Sequence, residues 1–251
     1  MGRTIFVGDV HGCRVELEGL LDKVRFSRGD RLVLVGDVIA RGPDSLGVLA
    51  LIRRLRGVIV RGNHEEKLLR WRAAKRAYAR GEGKKPKPLG AVHVEVAREL
   101  RGPDWASLIE SRLWLDLPKH GVRVVHAGVV PGVPFEQQDK RTLLRIRTVS
   151  EHGEPEEKST GVLWGARYKG PPHIVFGHNA ARGPQLHRWA TGLDTSCVYG
   201  GRLTALVLDE GEHVPHEPRA CRALLVSVPA RRVYYEGTRE RQGRRAAARV
   251  A

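Results

Sequence analysis

The sequence predicts an α/β fold built on a parallel sheet, and three observations predict it. Within the first 65 residues, short apolar runs alternate with segments of helical spacing, giving strand, helix, strand, helix, strand. Five short apolar runs along the chain stop at a Gly or a polar residue, the pattern of strands buried on both faces. Each of the five is followed within a few residues by a side chain able to hold a metal ion, and open α/β sheets place their ligands at the carboxyl ends of their strands.

Arg3 to Val7 is the first strand, and it ends in Gly8-Asp9-Val10-His11-Gly12-Cys13. Asp9 and His11, two apart, can converge on one ion, while Gly8 and Gly12 let the backbone turn tightly around it. Arg14 to Val24 has helical spacing, with Val15, Leu17, Leu20, Leu21 and Val24 apolar. Leu32 to Val35 is the second strand; Gly36-Asp37 follows, then a loop carrying Arg41 and Gly42-Pro43. A single Asp here could merely cap the helix that starts near Asp44, and it is the repetition that favours a site. Ser45 to Leu55 is a second amphipathic helix, and Val58 to Val60 a third strand ending in Arg61-Gly62-Asn63-His64-Glu65.

Glu66 to Arg80 reads as a helix rich in Lys and Arg, and residues 81–88 as a polar loop full of breakers. Ala91 to Leu100 and Trp105 to Arg112 are further helices, so about 66–112 is expected to form a cap-like helical insertion. Val122 to Val125 is a strand ending in His126-Ala127-Gly128; Asp139 to Arg147 is a basic helix; residues 151–160 form a loop. Ile174 to Phe176 ends in Gly177-His178-Asn179. Leu186 to His187, Leu193 to Asp194 and Leu203 to Leu208 read as short antiparallel strands with a turn at 199–201, and Ala223 to Val228 as a last strand. Residues 1–235 are expected to be one domain. Residues 236–251, rich in Arg and Ala, read as a frayed, flexible tail.

Composition narrows the function classes. At 251 residues the chain is long enough to bury a substantial core. No run of about 18 apolar residues is present to span a membrane. The first strand begins too early to leave room for a signal peptide. Three cysteines at unrelated spacings argue against a disulfide framework and for a reducing cytoplasm. Lys and Arg outnumber Asp and Glu 44 to 28, for a net charge of +16. That excess either attracts polyanions such as nucleotides, polyphosphate or RNA, or is a solvated Arg-rich surface; the two readings weigh equally.

Asp9, His11, Asp37, Asn63, His126 and His178 collect at the strand ends, five of them beside a Gly. Two carboxylates, an amide and three imidazoles suit two adjacent first-row divalent ions. The set is too rich in nitrogen for magnesium alone and lacks the thiolates of structural zinc. Asp37 is the natural bridge, since a carboxylate has two oxygens to share. One such residue at one strand end would be structural more often than not; six in order are not readily a coincidence.

These residues resemble a known family. Gly8-Asp9-Val10-His11-Gly12, Gly36-Asp37, Gly62-Asn63-His64-Glu65, His126-Ala127-Gly128 and Gly177-His178 are similar to the motifs of the calcineurin-like metallophosphoesterases, in the branch that contains the phosphoprotein phosphatases. The resemblance spans about residues 3–209. It implies a four-layer α/β/β/α sandwich and a two-metal centre. One ion would take Asp9, His11 and Asp37, the other Asp37, Asn63, His126 and His178. Manganese is the first expectation for this set, and cobalt, iron or zinc also suit it. The protein phosphatases carry an Asp just before the Arg of the second motif, where this chain has Ala40. Gly-Asp-Val-Ile-Ala-Arg-Gly-Pro-Asp-Ser resembles instead the bacterial symmetrical diadenosine tetraphosphatases. Leu193-Asp194-Thr195-Ser196-Cys197-Val198-Tyr199-Gly200-Gly201 resembles their C-terminal motif, with Ser196 at the usual Gly, a change that bears on the local turn.

The resemblance implies hydrolysis of a dinucleoside polyphosphate to two nucleoside diphosphates. Arg41 would bind non-bridging oxygens and His64 would protonate the leaving oxygen. Arg145, Arg147 and Arg182 are candidates for the outer phosphates, and Tyr199 for stacking on an adenine or closing the metal pocket. Trp164 and Trp189 are expected in the core, and the other seven histidines are given no role. Two competing readings are a serine/threonine or general protein phosphatase, and a phosphatase of 5′-polyphosphate or capped RNA ends. The second rests on the basic helix at 66–80 and the tail, which suit a weak RNA contact. No membrane and no obligate protein partner are expected.

Overall fold

Thr4–Val7 (β1), Arg31–Leu34 (β2) and Val58–Ile59 (β3) run parallel, joined by helices Arg14–Lys23 (α1) and Ser45–Arg54 (α2) in a computed structural model that describes residues 2–236. The expected basic tail therefore lies outside the described residues beyond Glu236. The chain continues through helices Asn63–Ala79 (α3), Ala91–Glu99 (α4) and Gly102–Glu110 (α5), then strands Trp114–Leu117 (β4) and Val122–Val125 (β5). Helix Lys140–Arg145 (α6) precedes Thr148–Val149 (β6), Pro155–Glu156 (β7) and Val162–Leu163 (β8), which form a three-stranded sheet. Helix Trp164–Arg167 (α7) leads to His173–Phe176 (β9), Gln185–His187 (β10), Ala190–Gly192 (β11) and Arg202–Leu208 (β12). Helix Pro218–Ala223 (α8) and strand Leu225–Pro229 (β13) complete the described chain.

The strands form two five-stranded mixed sheets, β13-β12-β1-β2-β3 and β10-β11-β9-β5-β4. Strand alternation sorts their side chains into layers. Phe6, Val33, Val35 and Leu206 from the first sheet meet Leu115, Val122, Val124 and Val175 from the second, so one apolar cluster fills the space between the sheets. Ile5, Val7, Leu32 and Leu34 face the other way, onto Leu17 and Leu20 of α1 and Leu49 and Ile52 of α2. Val125, Ile174 and Phe176 face outward from the second sheet onto Leu143 and Trp164. Helix, sheet, sheet, helix is the expected four-layer order. Each fully buried Leu, Ile or Phe contributes roughly 1.5–3 kcal/mol of transfer free energy.

Several expectations need correction. Helix α3 begins at Asn63, a turn earlier than Glu66, because the Glu65 carboxylate accepts from Gly62 N at 2.8 Å and caps it. The Asp139–Arg147 helix shortens to α6, and Arg147 N instead donates to Glu156 O at 2.8 Å. Leu193–Asp194 is not a strand: the partner of β10 is β11, a three-residue segment too short to register as a pattern. Strands β4, β6, β7 and β8 and helices α7 and α8 lie where the sequence pattern predicts no such element, β7 falling within the expected 151–160 loop, and the final strand starts at Leu225. Trp164 is buried as expected, but Trp189 is half-buried, its ring 4.0 Å from that of His216. In the 66–112 segment, Val96, Leu100, Trp105 and Leu108 join the same apolar cluster as α1 and α2. Among the described residues no helix is long and apolar enough to cross a membrane.

Candidate functional site

Asp9, Asp37, His126 and His178 follow β1, β2, β5 and β9, and Asn63 opens α3 after β3. The parallel strands of both sheets thus end on one locus. The loops reach it at a conformational cost. His11 (φ 48°), Asp37 (φ 47°), Ala40 (φ 69°), Arg41 (φ 74°) and His178 (φ 63°) all occupy the left-handed region, which costs a side-chain-bearing residue about 1–2 kcal/mol. Such residues collect where surrounding structure over-determines them, commonly at functional sites. Gly36, at φ 112°, has no room for a side chain, because a Cβ there would collide with His126 Nδ1.

Asp37 is the centre. Its Oδ2 lies 3.7 Å from His11 Nε2, 3.6 Å from His126 Nε2 and 4.0 Å from His64 Nε2. Two groups of ligand atoms, each within 4.8 Å of one another, share it: His11, Asp37 and His64, and Asp37, His126 and His178. The imidazoles are aimed. His126 Nδ1 donates to Val35 O at 3.0 Å and His11 Nδ1 to Ile39 O at 3.2 Å, which turns both Nε2 lone pairs toward Asp37. His126 Nε2 then faces Asn63 Oδ1 at 3.1 Å, an apposition of two acceptors that a cation satisfies. The Asp9 carboxylate accepts from His178 N at 3.1 Å.

The electrostatics fit a pair of cations. Asp9, Asp37, Glu65 and Asp194 are all buried within this small region. Burial, with the Asp194 and Asp37 charges, holds the Asp9 carboxyl well above its usual range, and burial raises Asp194 to about 6. Burial also acts to raise Asp37, but in acid, where His126, His64 and His11 take up protons, their charge outweighs it, and with the bond from His64 N it holds the Asp37 carboxyl well below its usual range. Burial lowers His11 to about 4 and depresses His64, His126 and His178, so the rings are neutral. Concentrated buried carboxylates beside neutral imidazoles form the donor set of a divalent centre.

The remaining candidates divide. Arg41 is half-buried, donates from Nη1 to His11 Nε2 at 2.8 Å, and sits 5.6 Å from the Tyr199 ring centroid. His64 stands at the head of α3, and its buried Nδ1 has no hydrogen-bond partner among the described residues. Arg147 is half-buried and donates to Asn179 Oδ1 at 2.8 Å, beside His178. Arg145 lies 4.0 Å from Glu157 and lines a groove that opens at Asn63. Arg182 is exposed and makes no hydrogen bond or ion pair with the described residues.

Four residues outside the expected set belong to the locus. Glu65 accepts from Asp37 N (2.9 Å), Val38 N (3.0 Å) and Gly62 N (2.8 Å), tying the Asp37 loop to α3. Asp194 accepts from Ser196 N at 3.1 Å and holds the turn in which Ser196 adopts φ 65° where a Gly was usual. His93, expected to be without a role, is buried and stacks on His64 at 4.7 Å and 24°. Tyr235 places its ring 5.8 Å from the Arg41 guanidinium carbon and 6.1 Å from the Tyr199 ring. The motifs around Glu65 and Asp194 carried a signal for them. Nothing in the sequence linked His93 or Tyr235 to the strand ends.

The family described as calcineurin-like phosphoesterase matches residues 2–221. The chain is 31% identical to the asymmetrical bis(5′-nucleosyl)-tetraphosphatase PrpE of Oceanobacillus iheyensis, over 83% of this chain and 89% of that one. It is 40% identical to the symmetrical bis(5′-nucleosyl)-tetraphosphatase of Shewanella oneidensis over 154 residues, 59% of this chain and 52% of that one. A solved structure of a protein assigned as a diadenosine tetraphosphatase superposes with a TM-score of 0.74 at 35% identity, covering 91% of this chain and 94% of its own.

Proposed function

The chain belongs to the calcineurin-like phosphoesterase family, and from that premise we propose that it hydrolyses dinucleoside polyphosphates, cleaving diadenosine tetraphosphate symmetrically to two ADP. Asp9, His11, Asp37, Asn63, His126 and His178 would hold two divalent cations, manganese first among them. Such a pair supplies Lewis acidity toward phosphoryl oxygens and an activated water. Arg41, beside two tyrosines and released from His11 Nε2 once that atom holds a cation, would present its guanidinium to non-bridging oxygens as charge spreads over them. Arg147 would bind an outer phosphate.

One observation carries the anhydride reading. Among the described residues no carboxylate meets the buried Nδ1 of His64, and burial together with the Arg41 charge keeps its ring neutral. A neutral imidazole is a weak acid that can offer one N–H. That is too little for an alkoxide and enough for a phosphate, whose second pKa is about 6. Resemblance to the symmetrical relative supports the central bond as the point of attack, although the asymmetrical relative matches more of the chain.

Product analysis with diadenosine tetraphosphate and manganese tests this. ADP as the sole product, lost in Asp37→Asn, is the expected result. ATP plus AMP would move the attack to an outer phosphate. No turnover, with phosphate released instead from phosphopeptides or 5′-triphosphate RNA, would replace the reading altogether.

A further inference from the structure

A groove of about 740 Å³ opens at Asn63 and runs between α3, α6 and the segment 86–89. Asn63, Lys67, Arg70 and Trp71 share one face of α3 at spacings of three and four residues. By helix rise, Trp71 lies about 12 Å along the axis from Asn63. Lys67, Arg70 and Lys87 have no ion-pair partner among the described residues. The two acids on the lining are already engaged: Glu66 pairs with Lys140 at 2.7 Å, and Asp139 caps α6 through Arg141 N at 3.1 Å. The groove is therefore cationic at its centre, beginning at the metal ligands.

Trp71 has no structural duty that would explain it. It joins none of the three apolar clusters. The helix is anchored from its other side, by fully buried Leu68 and by Arg72 standing 4.5 Å over the Trp105 ring. Lys75 Nζ lies 5.0 Å from the Trp71 ring centroid, and the half-buried indole lines the groove.

We propose that this groove binds one nucleoside-phosphate arm of the substrate, with the phosphates on Lys67, Arg70 and Lys87 and the base stacked on Trp71. Cations in line with an aromatic ring that lines the same groove are the elements of nucleotide recognition without base preference. The volume falls in the range of a pocket for one small ligand, and the wall at 86–89 bounds it, which favours a single nucleotide over a strand of RNA. The inference rests on the dinucleotide reading above for the identity of the arm.

The test uses the full chain with manganese, in wild type, Trp71→Ala, Trp71→Phe and Lys67→Ala, with Arg76→Ala as a control for loss of positive charge on the same helix outside the groove. Turnover of diadenosine tetraphosphate is compared with that of p-nitrophenyl phosphate, which is too short to reach Trp71, and ADP binding is measured by calorimetry. Trp71→Ala should lower kcat/KM for the dinucleotide about 5- to 100-fold more than for p-nitrophenyl phosphate, through KM, and weaken ADP to a similar degree. Trp71→Phe should recover most of this, and Arg76→Ala should change neither ratio nor binding. Dinucleotide turnover and ADP binding indifferent to Trp71 and Lys67 would overturn the groove and leave the proposed reaction standing. ADP binding that depends on Trp71, with no dinucleotide turnover, would uphold the groove and sink the reaction. Tight binding of a single-stranded oligoribonucleotide, lost in Trp71→Ala while ADP is not bound, would replace the nucleotide arm with RNA.

Discussion

Ala40 and His64 show what one residue decides. Ala40 is fully buried just before Arg41, at a left-handed φ of 69° that Asp tolerates better than Ala. His64 Nδ1 is a buried polar atom without a partner among the described residues, and His93 packs on its ring. A carboxylate that reaches that atom from this loop would orient and charge the imidazole. Ala40→Asp is therefore expected to raise the ratio of p-nitrophenyl phosphate to diadenosine tetraphosphate turnover by about tenfold or more. Steady-state kinetics on both substrates check it, and an unchanged ratio would show that His64 does not limit attack on poor leaving groups.

Helix α3 is the element on which the site turns. Its first turn supplies Asn63 and His64, and His64 N donates to Asp37 Oδ1 at 3.0 Å, so the helix N-terminus faces the central carboxylate. Glu65 holds the arrangement, one oxygen accepting from Gly62 N and Asp37 N and the other from Val38 N. Glu65→Gln keeps the volume but turns an amide N–H₂ toward backbone donors. The expected cost is about 1–3 kcal/mol, or roughly 2–10 °C in Tm at this chain length. A thermal melt that does not move would remove Glu65 from the structural account. The strand that precedes α3 and the Gly-Asn-His-Glu run were legible because they are local. The earlier start of the helix was not, because Gly62 and Asn63 have poor helix propensity and only the Glu65 cap and the Asp37 contact overcome it.

At the scale of the molecule, stability should depend on acid through buried histidines remote from the site. His173 opens β9, is 3% exposed, and shares a hydrogen bond of 2.9 Å with Thr191 on β11. Burial lowers its pKa from 6.5 to about 3. The folded protein holds this ring neutral while the unfolded chain protonates it. The stability is thus complete above pH 6.5 and is lost as pH falls from there toward 3. At pH 4.5 this one group should cost about 2–3 kcal/mol relative to pH 7. His173→Gln can keep the Thr191 contact and cannot titrate, so its urea midpoint should fall less between pH 7 and 4.5 than that of wild type. Equal falls would mean that the ring is not the source.

Sequence alone determined the alternation of β1, α1, β2, α2 and β3, the six candidate ligands and the family, because each depends on neighbours a few residues apart: an apolar run, a Gly, a polar side chain at the strand end. What belongs to the tertiary structure comes from distant parts of the chain. His93 reaches His64 from across the 81–90 loop, Tyr235 reaches Arg41 from 194 residues on, and Cys13 and Cys197 meet closely enough for a hydrogen bond that raises the Cys197 thiol. The same is true of the groove, whose lining draws on α3, α6 and the segment 86–89. Local patterns specify which residues point into a site. The packing of helices onto two sheets, which depends on the shape of the whole core, decides which others meet them there.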